Sequence, residues 1–304
     1  MQVKIFLKLT RCIFGSKHSL IDHLYYSNSP APLPNLDTNT IRLSDEAIAR
    51  MMVQIYKDTW DLDTLVQSDV LKETQAIFTK AVDQGTPPST PHRTAFKRQL
   101  TTSTDVFSAF RVHTQAQHMA SLMVDAQGNR LAFDDWAERV QPYVNHQNRA
   151  WLRTEFDTAA IRAHNEADWQ RFREDADVYP YLEWIPSTSD KPGEDHKVFW
   201  GTVLPVSDPF WKEHHPGDRW NCKCSLQQTD RTPTRAPNVT DTKNAAQPGL
   251  TSQPGSGEIF SSDHVYYPKD CRICPFSKGT QPLQSLTSQP RNCNTCRLCS
   301  PIRR

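Results

Sequence analysis

No stretch of this chain approaches the ~18 consecutive apolar residues that a membrane span requires, so the sequence predicts no membrane partner. The nearest thing to an apolar leader, Ile5-Phe6-Leu7 with Ile13-Phe14, is interrupted by Lys8 and Arg11 and shows no clear small-residue cleavage site, which argues against a signal peptide. Net charge is missing too. The 35 Lys and Arg almost cancel the 34 Asp and Glu, leaving a formal +1, so global charge favours neither nucleic acid nor a lipid surface, and any basic patch must be local. Glycine is scarce at 10 residues against 22 prolines, and hydrophobic residues make up only 37%; a real but limited core joined by long polar connections follows. Familiar catalytic signatures are absent as well. There is no His-Glu-x-x-His pair, no glycine-rich phosphate cradle and no nucleophile elbow, so the sequence predicts neither an enzyme nor a small-molecule substrate. Asn238-Val239-Thr240 fits the glycosylation acceptor pattern, but without an export signal that match is chance.

Cysteine, by contrast, is present and unevenly placed. Cys12 stands alone, Cys222 and Cys224 form a pair, and Cys271, Cys274, Cys293, Cys296 and Cys299 crowd the C-terminal end. Without an export signal such clustering reads as metal binding before disulfides.

Residues 1–43 carry no sustained period and are read as a leader and loop, the run Ser27 to Pro34 being proline-rich. Helical patterning then begins. Ser44 suits an N-cap, Asp45 and Glu46 favour the positive end of a helix dipole, and Ile48, Met52 and Ile55 share one face. The pattern continues to Gly85, where Thr86-Pro87-Pro88 stops it, and a second helical region spans about 96–124. A turn over 125–129 leads to a short amphipathic piece with Phe133, Trp136 and Val140. The clearest helix runs over about 148–174, with Leu152, Phe156, Ala159 and Ala163 on a core stripe. Arg153, Glu155, Arg162, Glu166, Arg171 and Arg173 are read as its solvated remainder. Tyr181-Leu182-Glu183-Trp184-Ile185 then looks like a strand, and 186–226 like a compact β-rich unit. Residues 227–257, rich in Gln, Thr, Pro, Ala and Ser, read as a flexible linker, and 258–304 as a small Cys-rich module. The fold class is α+β.

The most informative stretch is 190–224. It contains Asp190, His196, Gly201, Asp208-Pro209-Phe210-Trp211, Pro216, Trp220, Cys222 and Cys224. In this order and spacing it resembles the Mu F-like phage head morphogenesis family. That family's signature has an Asp, a His six residues on, a Gly five further, a Pro-Phe-Trp-type turn and a closing Trp-x-Cys-x-Cys. Thr154-Glu155 and the alanines 159, 160 and 163 fit the helix that precedes it. Gly193 stands where the family usually has an Arg, His215-Pro216 where it has Pro-Pro, and Lys223 where an Arg is common. The loss of an Arg matters if it made a bidentate contact, which neither Gly nor Lys reproduces. The resemblance is strong over 150–226 and makes 44–226 a head morphogenesis domain with its signature in 181–226. It implies a minor head protein inside the virion, assembled in the host cytoplasm, with portal and other capsid proteins as partners. A prophage-derived toxin-delivery protein and a zinc-dependent nucleic-acid binder are the rival readings.

Two groups could hold zinc. His196 with His214 or His215, Cys222 and Cys224 offers tetrahedral nitrogen and thiolate donors, and two cysteines flanking one residue face the same side of an extended segment. The alternative is plain packing, with a buried His196 hydrogen-bonded to Asp190. A site of Asp190, His196 and a cysteine nucleophile can be imagined, yet nothing in the spacing builds an oxyanion hole. In the tail, Cys271-x2-Cys274 and Cys293-x2-Cys296 are 18 residues apart, with Cys299 and His264 as alternates. That spacing fits a structural zinc module, since so short a tail needs metal to fold; a disordered tail or a pair of disulfides are the alternatives. Seven basic residues, Lys269, Arg272, Lys278, Arg291, Arg297, Arg303 and Arg304, against Glu258, Asp263 and Asp270 are compatible with DNA phosphates.

Overall fold

Caps and apolar stripes place the helices much where the pattern puts them. In the computed structural model, which describes residues 20–26, 41–90, 92–190, 192–239, 241–269 and 274, α1 covers residues 20–26. It is followed by α2 (Asp45–Tyr56), α3 (Leu62–Gln67), α4 (Asp69–Gly85), α5 (Arg93–Ser121), α6 (Phe133–His146) and α7 (Leu152–Glu174). Ser44 caps α2 by accepting from the Ala47 N–H, and Ile48, Met51, Met52 and Ile55 form its buried stripe. Ser44 also donates its hydroxyl to Glu73 Oε1 at 2.7 Å, tying the start of α2 to α4.

Helices α4, α5 and α7 build the main core around Phe78, Leu100, Phe107, Phe110 and Leu152, all buried. The α4 C-terminus lies hard against α7. A Cβ on Gly85 would sit 2.3 Å from the Ala160 carbonyl oxygen, so only glycine lets the two backbones approach there. The helix expected over about 148–174 begins instead as a π turn, Gln147–Trp151, continuous with α6 and α7. Such bulges recur at functional or strained positions, and here the Gln147 carbonyl accepts from buried Arg111 at 2.5 Å.

Behind α7 stands a three-stranded antiparallel sheet in the order β2 (Val203–Pro205), β1 (Tyr181–Ile185), β3 (Ser225–Thr229). Leu182 faces Leu204 on one side and Gln228 on the other. Leu182, Trp184, Phe199, Leu204 and Trp211 form a second core with Trp169 and Phe172 of α7. The short helix α8 (Phe210–Glu213) starts where the Phe210 N–H donates to Asp208 Oδ1 at 2.9 Å. Strand β1 lies where the sequence places it; the rest of 186–226 is mostly loop, with two short strands. Helix over sheet makes the chain α+β.

The polar side of α7 departs from expectation. Glu155, Arg162 and Glu166 read as solvated, yet they are 0%, 4% and 3% exposed; Arg171 and Arg173 do face solvent. The Glu155 carboxylate accepts from Arg111 Nε at 2.6 Å, the Tyr25 hydroxyl at 2.9 Å and the Tyr266 hydroxyl at 2.7 Å. Arg162 donates to the carbonyls of Gly217, Leu250 and Ser252. Glu166 accepts the N–H groups of Gly255 and Gly257 at 3.0 and 2.9 Å.

These contacts correct the reading of 227–257 as a flexible linker over its last residues, 250–257. Residues 227–229 end β3, 231–236 are exposed, and from Leu250 to Gly257 the segment lies along α7, with backbone groups of Leu250, Ser252, Gly255 and Gly257 bound by Arg162 and Glu166. Its lack of apolar periodicity is no obstacle, because this order comes from side chain to backbone bonds. Nor do residues 258–269 begin a separate module. Ile259 and Phe260 enter the helical core, with Phe260 stacked on Phe107 at 4.0 Å between ring centroids. Cys274 is buried in the same core, while Cys271, Cys293, Cys296 and Cys299 lie outside the described residues.

Breaking a buried ion pair by removing one partner typically costs about 3–5 kcal/mol. Glu155→Ala, which strands Arg111 and two phenols, is therefore expected to lower urea-derived stability by about that much; a loss under about 1 kcal/mol would place these charges among the energetically idle ones. A second expectation concerns pH. Burial pushes the Glu166 carboxyl from 4.5 up to about 7, against the pull of the Gly257 N–H and Arg162. A carboxyl that holds its proton more tightly folded than unfolded adds stability that is fully present below about pH 4.5 and is lost as pH rises through about 7. Urea titrations across that window should show stability falling by up to about 3 kcal/mol, with Glu166→Gln flattening the slope; an unchanged slope in the variant would assign it elsewhere.

Candidate metal centre

The end of the sheet where β1 finishes and β2 and β3 begin gathers the chemistry. The β1–β2 connection brings His196 to the start of a 3-10 turn, Lys197–Phe199. Gly201 then adopts φ +75°, the left-handed conformation that glycine reaches without strain, and its N–H meets the Trp184 carbonyl at 2.9 Å. Cys222 and Cys224 sit at the approach to β3. His196 is held between Trp184, edge-on at 5.1 Å, and Phe199 at 5.9 Å.

One ligand atom from each of His196, Cys222 and Cys224 lies within 4.8 Å of the other two, and all three residues are buried. His196 Nδ1 is 3.3 Å from Cys222 Sγ. Bond lengths of about 2.0–2.1 Å to nitrogen and 2.3 Å to sulfur put tetrahedral zinc donors about 3.5 Å apart, so this pair already has the required separation. His196 Nε2 lies 2.7 Å from Asp218 Oδ1. With Nε2 donating to a carboxylate that is 0% exposed, Nδ1 is turned toward the thiols, the arrangement by which a carboxylate orients a metal-binding imidazole. The Cys222 sulfur also receives the backbone N–H of Cys224 at 3.4 Å. These residues can hold a metal ion.

In the metal-free site the charges favour a proton on His196, which a bound cation would have to displace. Burial opposes charge on His196, yet the Asp218 carboxylate lifts its pKa to about 9. Burial works to raise Asp218 in turn, but His196 holds it down at about 2. The two thiols titrate apart: the hydrogen bond with Cys224 and burial push Cys222 up, while the same bond and His196 pull Cys224 down to about 5. Two adjacent sulfurs resist carrying full thiolate charge together, and a cation removes that conflict.

Several expectations change here. Asp190 is exposed, and the carboxylate on His196 is Asp218, held in the 215–219 turn where the His215 N–H reaches its Oδ2 at 3.4 Å. No spacing signal in the sequence singles out Asp218. His214 and His215 are not among the converging donors. His215 is buried with both ring nitrogens lacking a hydrogen-bond partner, and burial drives its pKa to about 3. His264, the tail's alternate ligand, lies in the helical core, its Nδ1 accepting the Tyr266 N–H and its Nε2 facing the Tyr25 hydroxyl, both at 3.2 Å. The signature tryptophans part company. Trp211 packs with Trp184 and the thiols, donating Nε1 to the Pro205 carbonyl at 2.8 Å, whereas Trp220 joins the helical core against Tyr25 and Phe260.

Residues 117–227 match the family model described as Phage Mu protein F like protein. A stretch of 106 residues, 35% of this chain, is 24% identical to "Putative capsid assembly protein F" of Escherichia phage Mu, and the match spans 22% of that relative's length. No solved structure matches the chain. Among the described residues no helix is long and apolar enough to cross a membrane. The matched region runs from late α5 through the bulged α6–α7 pair to the paired thiols, and over it this chain is similar to the Mu F-like phage proteins.

Proposed function

We propose that the protein is a minor head protein that acts in phage capsid assembly, residing in the head interior after assembly in the host cytoplasm. The observation that carries this reading is the match of 117–227 to the Mu F-like family together with the Mu relative named for capsid assembly. Its partners are the portal and other capsid proteins, met through the helical body. The basic residues near the C-terminus, from Lys269 to Arg304, support a contact with packaged DNA. Deleting the gene from an inducible prophage is expected to cut infectious particle yield and leave aberrant or empty heads by electron microscopy, with complementation restoring both. Normal heads and titre without it would overturn the assignment.

The thiol cluster serves the fold in this reading and is not a catalytic site. Its three donors are 4%, 9% and 5% exposed for His196, Cys222 and Cys224, which supports a structural zinc ion bracing the β1–β2 connection against the approach to β3. With Cys271, Cys293, Cys296 and Cys299 changed to Ser in the full chain, one zinc per chain is expected by elemental analysis, and adding Cys222→Ser and Cys224→Ser should abolish it. Zinc that survives the double change, or never binds, contradicts the site. The tail spacing supports a second zinc in the wild-type chain.

A further inference from the structure

The three donors leave one tetrahedral position to be filled, and the surroundings bear on what fills it. Closed structural zinc sites use four protein ligands, whereas three protein ligands with a solvent in the fourth place make an open site. Among the described residues only His196, Cys222 and Cys224 converge. Asp218 is committed elsewhere, with one oxygen on His196 and the other on the His215 N–H.

All three donors line a single cavity of about 50 Å³. A water needs roughly 10–15 Å³ of such volume and two to four polar neighbours, so this space holds one or a few. Its other walls include Ser187, Ser189, Asp195, Arg219 and Lys223. The Asp195 and Arg219 side chains, 8% and 7% exposed, form an ion pair of 2.8 Å there. Pro192, Trp200 and Trp220 complete a mixed lining, in which the hydroxyls and the two cationic side chains offer polar partners to a water or a small anion. The rival fourth ligand is His215, whose buried ring has no hydrogen-bond partner. It does not line the cavity, and it stands outside the converging set.

We propose that the metal at His196, Cys222 and Cys224 keeps an open fourth position facing this cavity, occupied by an exchangeable water that small monodentate anions can displace. The inference rests on the metal-binding reading above and goes beyond it by giving the centre a ligand-binding site of its own. Asp218 acts as a positioning residue, since it aims Nδ1 at the metal and leaves the cavity side to solvent.

Cobalt(II) is the probe, loaded at one equivalent into the full chain with Cys271, Cys293, Cys296 and Cys299 changed to Ser. Thiolate-to-cobalt charge transfer in the near ultraviolet, absent from the Cys222→Ser, Cys224→Ser variant, reports the metal site itself. Azide is then titrated in. The expected result is a saturable shift of the visible ligand-field bands with charge transfer retained, and the same shift in His215→Gln. Bands that azide does not move, or that move only in His215→Gln, overturn the open position while leaving the metal site standing. Absence of charge transfer overturns both.

Discussion

Three ionisable side chains buried along α7 hold the molecule together. Glu155 collects a guanidinium and two phenols from α5, α1 and the 258–269 segment. Arg162 and Glu166, about two and three turns further on, take the carbonyls and the N–H groups of a chain segment with no regular structure of its own. Burying charge is costly unless each group is fully bonded, so these contacts stand or fall together. Their arrangement makes α7 the common wall of both cores, with Leu152, Phe156 and Ala159 on the helical side and Trp169 and Phe172 on the side of the sheet.

The candidate metal centre inherits its rigidity from that wall. Arg162 binds the Gly217 carbonyl at 2.8 Å, one residue before Asp218, and Asp218 fixes the His196 ring. The path from α7 to the imidazole thus passes through two hydrogen bonds and one turn. Trp220, two residues before Cys222, is anchored in the helical core through Phe260 and Tyr25. The thiols are therefore presented by a loop whose preceding residues are pinned on both cores, which is how a site can be preorganised on loops instead of on strands.

Legibility in the sequence followed the kind of force involved. Ser44 and the Ile48–Met52–Ile55 stripe announce α2, and Trp136 and Val140 announce α6, because caps and apolar periodicity are local. Arg162 and Glu166 look like an ordinary exposed i,i+4 pair, and nothing local says that a distant backbone will cover them. For the same reason 227–257 reads as linker: the order of its last residues, 250–257, comes from α7 side chains, not from its own pattern. His196, Cys222 and Cys224 were legible as donor types at a signature spacing. Asp218 was not, since the turn that delivers it is set by tertiary contact, and Asp190 stood nearer in the chain. His264 illustrates the converse, a metal-type residue near a cysteine cluster that serves instead to join two tyrosines in a core.

The central claim is that the buried ionisable side chains of α7 order the following backbone. Amide hydrogen exchange at Gly255 and Gly257, the two N–H donors to Glu166, tests it most directly. Protection approaching that of α5 core amides is predicted for both; exchange at the rate of an unstructured chain would contradict the claim.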